Sequence, residues 1–228
     1  MSRLLLVRHG KTSARAHRYC GHSQVGLSSE GVEQAQALRR RLAGETINEI
    51  YSSDLSRARL TAEIIASAHP VDVVLCPELR ELDFGEIEGM TFEEVERLCP
   101  RAVALWSGQD LDACAPGGES LRQLASRVQG FMARLSSHSP GETVLIVAHA
   151  GPLRVLVCKL LGIELERQWQ IRLDLASLSG VESCPQGAIV SFLNETSHLK
   201  ALMEGHDEVY QDSSLNGPGL RFLEWRQG

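Results

Sequence analysis

The chain has 228 residues, a formal net charge of −6 and hydrophobic side chains at 43% of its positions. This length and apolar content suit one folded domain and argue against a chain that is disordered throughout. The acidic balance argues against a nucleic-acid partner, because general nucleic-acid binders usually carry an excess of Lys and Arg. The apolar run at residues 4–7 is too short for a signal peptide or a membrane span, so we expect a cytoplasmic protein with no membrane partner.

The first half of the chain alternates short apolar strands with amphipathic helices. A buried strand is predicted at residues 4–7, and a helix with one apolar face follows at residues 28–43. A short strand at residues 49–51 leads into a helix at residues 57–68, and a further strand is predicted at residues 71–75. Residues 90–116 are irregular with helical stretches, which we interpret as a cap excursion from the sheet.

The second half continues the alternation. A helix is predicted at residues 119–135, a strand at 144–148, a helix at 152–161, and strands at about 171–178 and 188–193. This order predicts an α/β fold, a three-layer sandwich with a mostly parallel sheet and a short helical cap insertion. We expect residues 1–199 to form one domain and the polar residues 200–228 to form a C-terminal tail of unknown role.

The six cysteines are scattered along the chain without a C-x-x-C pair. In a cytoplasmic protein this spacing predicts reduced thiols, and it disfavours a disulfide framework or a zinc site. Cys76 and Cys158 lie in apolar surroundings and are expected to be small core residues.

Two of the predicted strands end on a histidine followed closely by glycine. His9 follows the strand at 4–7, and His149 follows the strand at 144–148. In parallel α/β sheets, ligands bind at the carboxyl ends of strands, so these two side chains are expected to face one pocket. His149 also precedes a helix, whose first amides, around Ala150 and Gly151, would point at a bound anion.

Arginines and a carboxyl group are expected at the same place. Arg8 precedes His9, and Arg57 lies in the first turn of a helix that follows a strand. Two guanidiniums and two imidazoles around one point suit a phosphate group, since the guanidinium fork matches phosphate oxygens. Glu81 follows the strand at 71–75 and could donate a proton to a leaving oxygen.

Five segments resemble those of the histidine phosphatase (phosphoglycerate mutase-like) superfamily. They read R-H-G-K-T at residues 8–12, S-S-D-L-S-R-A-R-L-T-A at 52–62, L-R-E-L-D-F-G-E-I-E-G at 79–89, P-G-G-E-S at 116–120 and V-A-H-A-G at 147–151. They occur in the family's order, and the resemblance covers about residues 4–199. The loop at residues 19–22 resembles the alpha-ribazole phosphatase branch of this family more closely than the glycolytic mutases.

The resemblance implies a role for each matching residue. His9 would be the nucleophile and Glu81 the general acid or base, while Arg8, Arg57 and His149 would hold the phosphoryl oxygens. Neither a metal nor another cofactor is expected, because the arginines supply the positive charge. The loop after the nucleophile is expected to touch the substrate through Arg15, Arg18, Gly21 and His22. Many members of the family carry Asn where this chain has Arg15.

The implied activity is metal-independent hydrolysis of a small phosphorylated metabolite through a phosphohistidine, with alpha-ribazole phosphate of cobalamin biosynthesis as the first candidate. Alternatives are a phosphoglycerate mutase, a non-catalytic phosphate-binding module, and a metallohydrolase using histidines 9, 17, 22 and 149. The short, acidic excursion disfavours a mutase, which must hold a second phosphate. A binder needs no nucleophile, and the histidines lack a ligand pair with metal-site spacing. The sequence is also compatible with a homodimer.

Overall fold

The computed structural model describes residues 2–15, 17–106, 110–184 and 187–203. The tail expected at residues 200–228 lies outside the described residues from position 204 onward. No helix within the described part is long and apolar enough to cross a bilayer.

The described strands form one mixed sheet. They are β1 (Ser2–Arg8), β2 (Glu49–Ser52), β3 (Val73–Leu75), β4 (Thr143–Ala148), β5 (Leu178–Cys184) and β6 (Gly187–Glu195). Their order across the sheet is β3-β2-β4-β1-β5-β6. The four strands from β3 to β1 are parallel, and β5 and β6 continue the sheet as antiparallel strands. The predicted α/β fold with a mostly parallel sheet is therefore confirmed.

Helices cover both faces of this sheet. They are α1 (Ser29–Leu42), α2 (Ser56–Ala66), α3 (Phe92–Leu98), α4 (Leu121–Leu135), α5 (Ala150–Leu161) and α6 (Lys200–Met203). Successive residues of β1 point to opposite faces, as in any strand. Leu4 and Leu6 pack in a cluster with α4 and α5, whereas Leu5 and Val7 pack in a second cluster with α1 and α2. These two clusters separate the three layers of the sandwich.

Of the last two predicted strands, the second is found as β6, but the first is displaced along the chain. The alternating residues 171–178 suggested a strand, but most of this segment is a loop, and β5 begins only at Leu178. Backbone contacts explain the difference, because Arg8 binds the carbonyl of Leu173 and the amide of Ala176 donates to the carbonyl of His9. The backbone of Ala176 is left-handed, with φ of 53°, which no regular strand allows.

The cap excursion contains α3 and a 3-10 helix, Pro100–Trp106. A capping box begins α3, in which Thr91 and Glu94 bond reciprocally to each other's amide. The side chain of Val95 packs with Ile87 and Ala115 in a small core of its own. The excursion is thereby tied to the loop that follows β3. All six cysteines are free thiols, and Cys76 and Cys158 are buried as expected.

Candidate active site

The carboxyl ends of β1 and β4 bring two histidines together. These strands are parallel neighbours with Arg8 opposite Ala148, so His9 and His149 leave the sheet side by side. Their ring centroids lie 4.9 Å apart, and the ring planes meet at 60°. Both side chains are buried, His149 completely. The sheet register therefore produces the pair that the two strand endings predicted.

The ring of His9 is held in one tautomer. Its Nδ1 lies 2.8 Å from the carbonyl oxygen of Gly10, and because a carbonyl only accepts, Nδ1 carries the proton. The lone pair of His9 is consequently on Nε2. A side chain at Gly10 would place its Cβ 2.6 Å from the carbonyl oxygen of Gly31, so this close backbone approach requires glycine.

The environment keeps both imidazoles neutral. Burial lowers the pKa of His9 well below its ordinary value, and the charges of Arg57 and Arg8 lower it further. The hydrogen bond to Gly10 opposes these effects without cancelling them. Burial and the charge of Arg57 likewise depress the pKa of His149. At neutral pH, His9 thus presents an unprotonated Nε2, as a nucleophile must.

His149 is oriented by two neighbours. The Nε–H of Arg57 donates to His149 Nδ1 over 3.2 Å, so His149 carries its proton on Nε2. That Nε2–H lies 2.9 Å from the hydroxyl oxygen of Ser53 and donates to it. Ser53 was not predicted as a site residue. The signal for it was its position, directly after β2 and within the segment that contains Arg57.

Arg57 is a buried cation, with only 1% of its surface exposed. A buried guanidinium requires partners, and this one donates to the carbonyls of Ser23 at 3.0 Å and Gly21 at 2.7 Å. Burial lowers the pKa of Arg57 from its ordinary value. Arg8 is also buried, and its Nη1 donates to the carbonyl of Leu173 at 2.7 Å. Backbone carbonyls thus hold both guanidiniums in place.

The carboxylate of Glu81 lies at the start of α5. Its Oε1 accepts from the amide of Gly151 at 3.1 Å and from that of Leu82 at 2.9 Å. A Cβ at Gly151 would lie 2.2 Å from this same oxygen, so only glycine leaves room for the carboxylate. The Gly151 amide was expected to face an anion, and here it faces the carboxyl group of Glu81. Ala150 is half-buried beside it as the first residue of α5.

The loop residues expected to touch the substrate have three different surroundings. The carbonyl of Gly21 accepts from Arg57, and His22 Nε2 lies 2.9 Å from the carbonyl of Glu81, so both contact other candidate site residues. Arg18 instead binds the cap, through the carbonyl of Gly89 and the carboxylate of Glu94. Arg15 is exposed, and its side chain makes no hydrogen bond or ion pair within the described residues.

Glu88 organises the loop around Arg57. Its two carboxylate oxygens accept from the amide of His22 at 2.7 Å and from the hydroxyl of Ser23 at 2.6 Å. The loop so fixed supplies the carbonyls that hold Arg57. Sequence reasoning left Glu88 among several acids near Glu81 without a role, because nothing local distinguishes it from a solvent-facing side chain. No group of three or more His, Cys, Asp or Glu side chains among the described residues could hold a metal ion.

The chain is similar to several known proteins. Residues 4–196 match the model of the histidine phosphatase superfamily, branch 1. Phosphoserine phosphatase 1 of Hydrogenobacter thermophilus is 34% identical over 211 residues, which span 92% of this chain and 100% of that protein. The adenosylcobalamin/alpha-ribazole phosphatase of Escherichia coli is 32% identical over 84% of this chain and 95% of its own length. The crystal structure of the alpha-ribazole phosphatase from Shigella flexneri superposes with a TM-score of 0.78 at 32% identity, covering 85% of this chain and 96% of that one.

Proposed function

We propose that the chain, which belongs to the histidine phosphatase superfamily, hydrolyses a small phosphate monoester through a phosphohistidine on His9. Membership of this family, with relatives named as phosphatases, makes the protein a phosphoric monoester hydrolase. The observation that carries the proposed mechanism is the fixed tautomer of His9, which leaves a neutral Nε2 beside two buried guanidiniums. Phosphoryl transfer requires mainly this positioning and this positive charge.

In the first step, His9 Nε2 attacks the phosphorus atom as the bond to the leaving oxygen breaks. Arg8 and Arg57 hold the non-bridging oxygens and balance their charge, and His149 completes the group that surrounds them. Glu81 transfers a proton to the leaving oxygen, so that an alcohol departs and not an alkoxide. The products of this step are the alcohol and a phosphoramidate on His9.

In the second step, water replaces His9 at the phosphorus atom. Glu81 left the first step as a carboxylate, and it now accepts a proton from the attacking water. The P–N bond breaks, inorganic phosphate leaves, and Nε2 of His9 recovers its lone pair. Glu81 is protonated again, so the site returns to its starting state without an external reagent.

The charge of the cap supports hydrolysis over mutase activity. Glu93 and Glu96 are exposed on α3, and Glu94 already pairs with Arg18. A mutase must retain a doubly phosphorylated intermediate under its cover, and an acidic cover repels the second phosphate. We therefore expect phosphoenzyme formed here to be open to water.

The first substrate that we propose is alpha-ribazole phosphate. Two observations support this choice. The loop at residues 19–22 resembles that of the alpha-ribazole phosphatase branch, and the chain is similar to the alpha-ribazole phosphatases of E. coli and S. flexneri. Phosphoserine is the second, because the H. thermophilus relative carries that activity in its name and aligns over its whole length. Both are alkyl phosphates, so the same chemistry at Glu81 serves either one.

A phosphate-release assay tests this proposal. The panel contains alpha-ribazole phosphate, phosphoserine, nucleotides, sugar phosphates and phosphoglycerates, each measured with and without EDTA. We expect alpha-ribazole phosphate to give the highest kcat/KM and EDTA to have no effect. A higher kcat/KM for phosphoserine would change the proposed substrate and leave the proposed reaction unchanged. Interconversion of phosphoglycerates faster than phosphate release would contradict hydrolysis, and a loss restored only by added divalent ion would contradict the mechanism.

A further inference from the structure

Arg127 is an arginine of α4 that nothing in the sequence marked. Its guanidinium makes five hydrogen bonds, to the carbonyls of Glu78, Arg80 and Glu81 and to both carboxylate oxygens of Glu119. Their lengths run from 2.7 to 2.8 Å. A guanidinium has five N–H donors, so this environment uses its full capacity. A lysine in the same place could not reproduce this planar pattern.

The carbonyls that Arg127 binds belong to the segment that delivers Glu81. A 3-10 turn, Pro77–Leu79, begins this segment and leaves its later carbonyls without helical partners. Arg127 Nη2 donates to the carbonyl of Glu81 at 2.8 Å, and His22 Nε2 meets the same oxygen at 2.9 Å. The main chain of Glu81 is thus held from two sides, while the amides of Leu82 and Gly151 hold its carboxylate.

Glu119 connects this arrangement to the start of α4. Its amide donates to the carbonyl of Asp83 at 2.8 Å, and its carboxylate takes a bidentate pair from Arg127 at 2.8 and 2.7 Å. The side chains are 15% and 21% exposed, so the pair is largely shielded from solvent. The pair therefore joins residues 78–83 to α4 as one unit.

We propose that Arg127, paired with Glu119, is a positioning residue that fixes Glu81 for proton transfer to the leaving oxygen. The proposal rests on the function proposed above, because it gives Arg127 no role apart from Glu81. Displacement of a catalytic group by about 1 Å can cost on the order of a hundredfold in rate. Loss of Arg127 should accordingly act on the step that needs the acid and leave the attack by His9 in place.

The test compares leaving groups. A phenolate leaves as a stable anion and needs little protonation, whereas an alkoxide needs the acid. We expect Arg127→Gln to lower kcat for phosphoserine at least about tenfold more than kcat for p-nitrophenyl phosphate. Arg134→Gln is the matched control, since Arg134 lies on the same helix and binds the side chain of Glu78 without reaching Glu81. It should leave both rates unchanged.

A double-mutant cycle separates positioning from general damage. In a Glu81→Gln background, Arg127→Gln should cost little more, because the group that it positions is already lost. Free guanidinium ion should restore phosphoserine turnover to Arg127→Ala. The side chain of Arg127 is 21% exposed, so solvent can reach the space that its removal leaves. Equal losses on the two substrates, or additive losses in the double mutant, would show a merely structural role and overturn the proposal.

Two further results complete the design. If Arg127→Gln does not fold, Glu119→Gln loosens the same pair while leaving Arg127 in place, and it should show the same preference for aryl over alkyl phosphate. Glu81→Gln measured alone tests the proposed function. If this substitution lowers kcat equally for both substrates, the assignment of Glu81 fails and the role of Arg127 fails with it. If Glu81→Gln spares the aryl phosphate but the Arg127 and Glu119 variants lose activity on both substrates equally, Glu81 remains the general acid and the positioning proposal fails.

Discussion

At the scale of single residues, the candidate site holds neutral imidazoles among fixed cations. The Nδ1–H of His9 donates to the carbonyl of Gly10, and Nδ1 of His149 accepts from Arg57. These two hydrogen bonds fix the tautomer of each ring. The sequence predicted these side chains because each histidine directly follows an apolar strand. The contacts of Ser53 and Glu88 were not predicted, because their partners come from segments far along the chain.

Ser53→Ala removes the acceptor of the His149 Nε2 proton. We expect kcat to fall about tenfold, the equivalent of one hydrogen bond. The loss should be equal for alkyl and aryl phosphates, since the proposed role of His149 concerns the phosphoryl group and not the leaving oxygen. Ser52→Ala is the control, because Ser52 is equally buried but donates to the carbonyl of Ser53. A rate for Ser53→Ala that matches Ser52→Ala would rule out an orienting role for the hydroxyl.

At the scale of elements, hydrophobic periodicity identified the helices and strands wherever packing alone decides the structure. It misplaced β5 because the alternating residues 171–178 carry a different constraint. This loop places carbonyls and amides against Arg8 and His9, and Asn194 fixes it by accepting from the amide of Asp174 at 2.6 Å. Local pattern and tertiary structure disagree here beside the site, where such disagreement is most expected.

Two exposed helix glycines should respond in opposite directions to alanine. Gly130 lies inside α4, where an added Cβ would meet no atom within 4 Å, so Gly130→Ala should raise the free energy of unfolding by about 0.5–1 kcal/mol. Gly162 ends α5 with φ of 67°, so Gly162→Ala should lower it by about 1–2 kcal/mol. Chemical denaturation measures both, and kcat should not change. A stabilising Gly162→Ala would contradict the left-handed end of α5.

At the scale of the whole molecule, the buried imidazoles make stability depend on pH. The pKa values of His9 and His149 are lowered by burial first and by neighbouring arginines second. The unfolded chain therefore binds protons more readily than the folded one once the pH falls below about 6.5. The stability that neutral imidazoles provide is present above that pH and is lost as the pH falls toward the folded pKa values.

We expect the free energy of unfolding to decrease between pH 7 and pH 5, with a slope of up to about 1.4 kcal/mol per pH unit for each such histidine. His149→Gln should show a shallower slope than the wild type. The difference in slope is the diagnostic quantity, since burial also lowers the pKa values of His69 and His198. Asp54 and Glu45, whose pKa values are lowered chiefly by hydrogen bonds from Arg80 and Arg3, act at lower pH. Parallel curves for the two proteins would contradict a neutral, buried His149.

The measurement that bears most directly on the chemistry is the trapping of the phosphoenzyme. Enzyme quenched during turnover of a radiolabelled phosphomonoester should carry label that is stable in base and labile in acid, as a phosphoramidate is. Peptide mapping should place the label on His9, and His9→Ala should neither trap label nor turn over. Label on another residue, or undiminished turnover by His9→Ala, would contradict the assignment of His9 as the nucleophile.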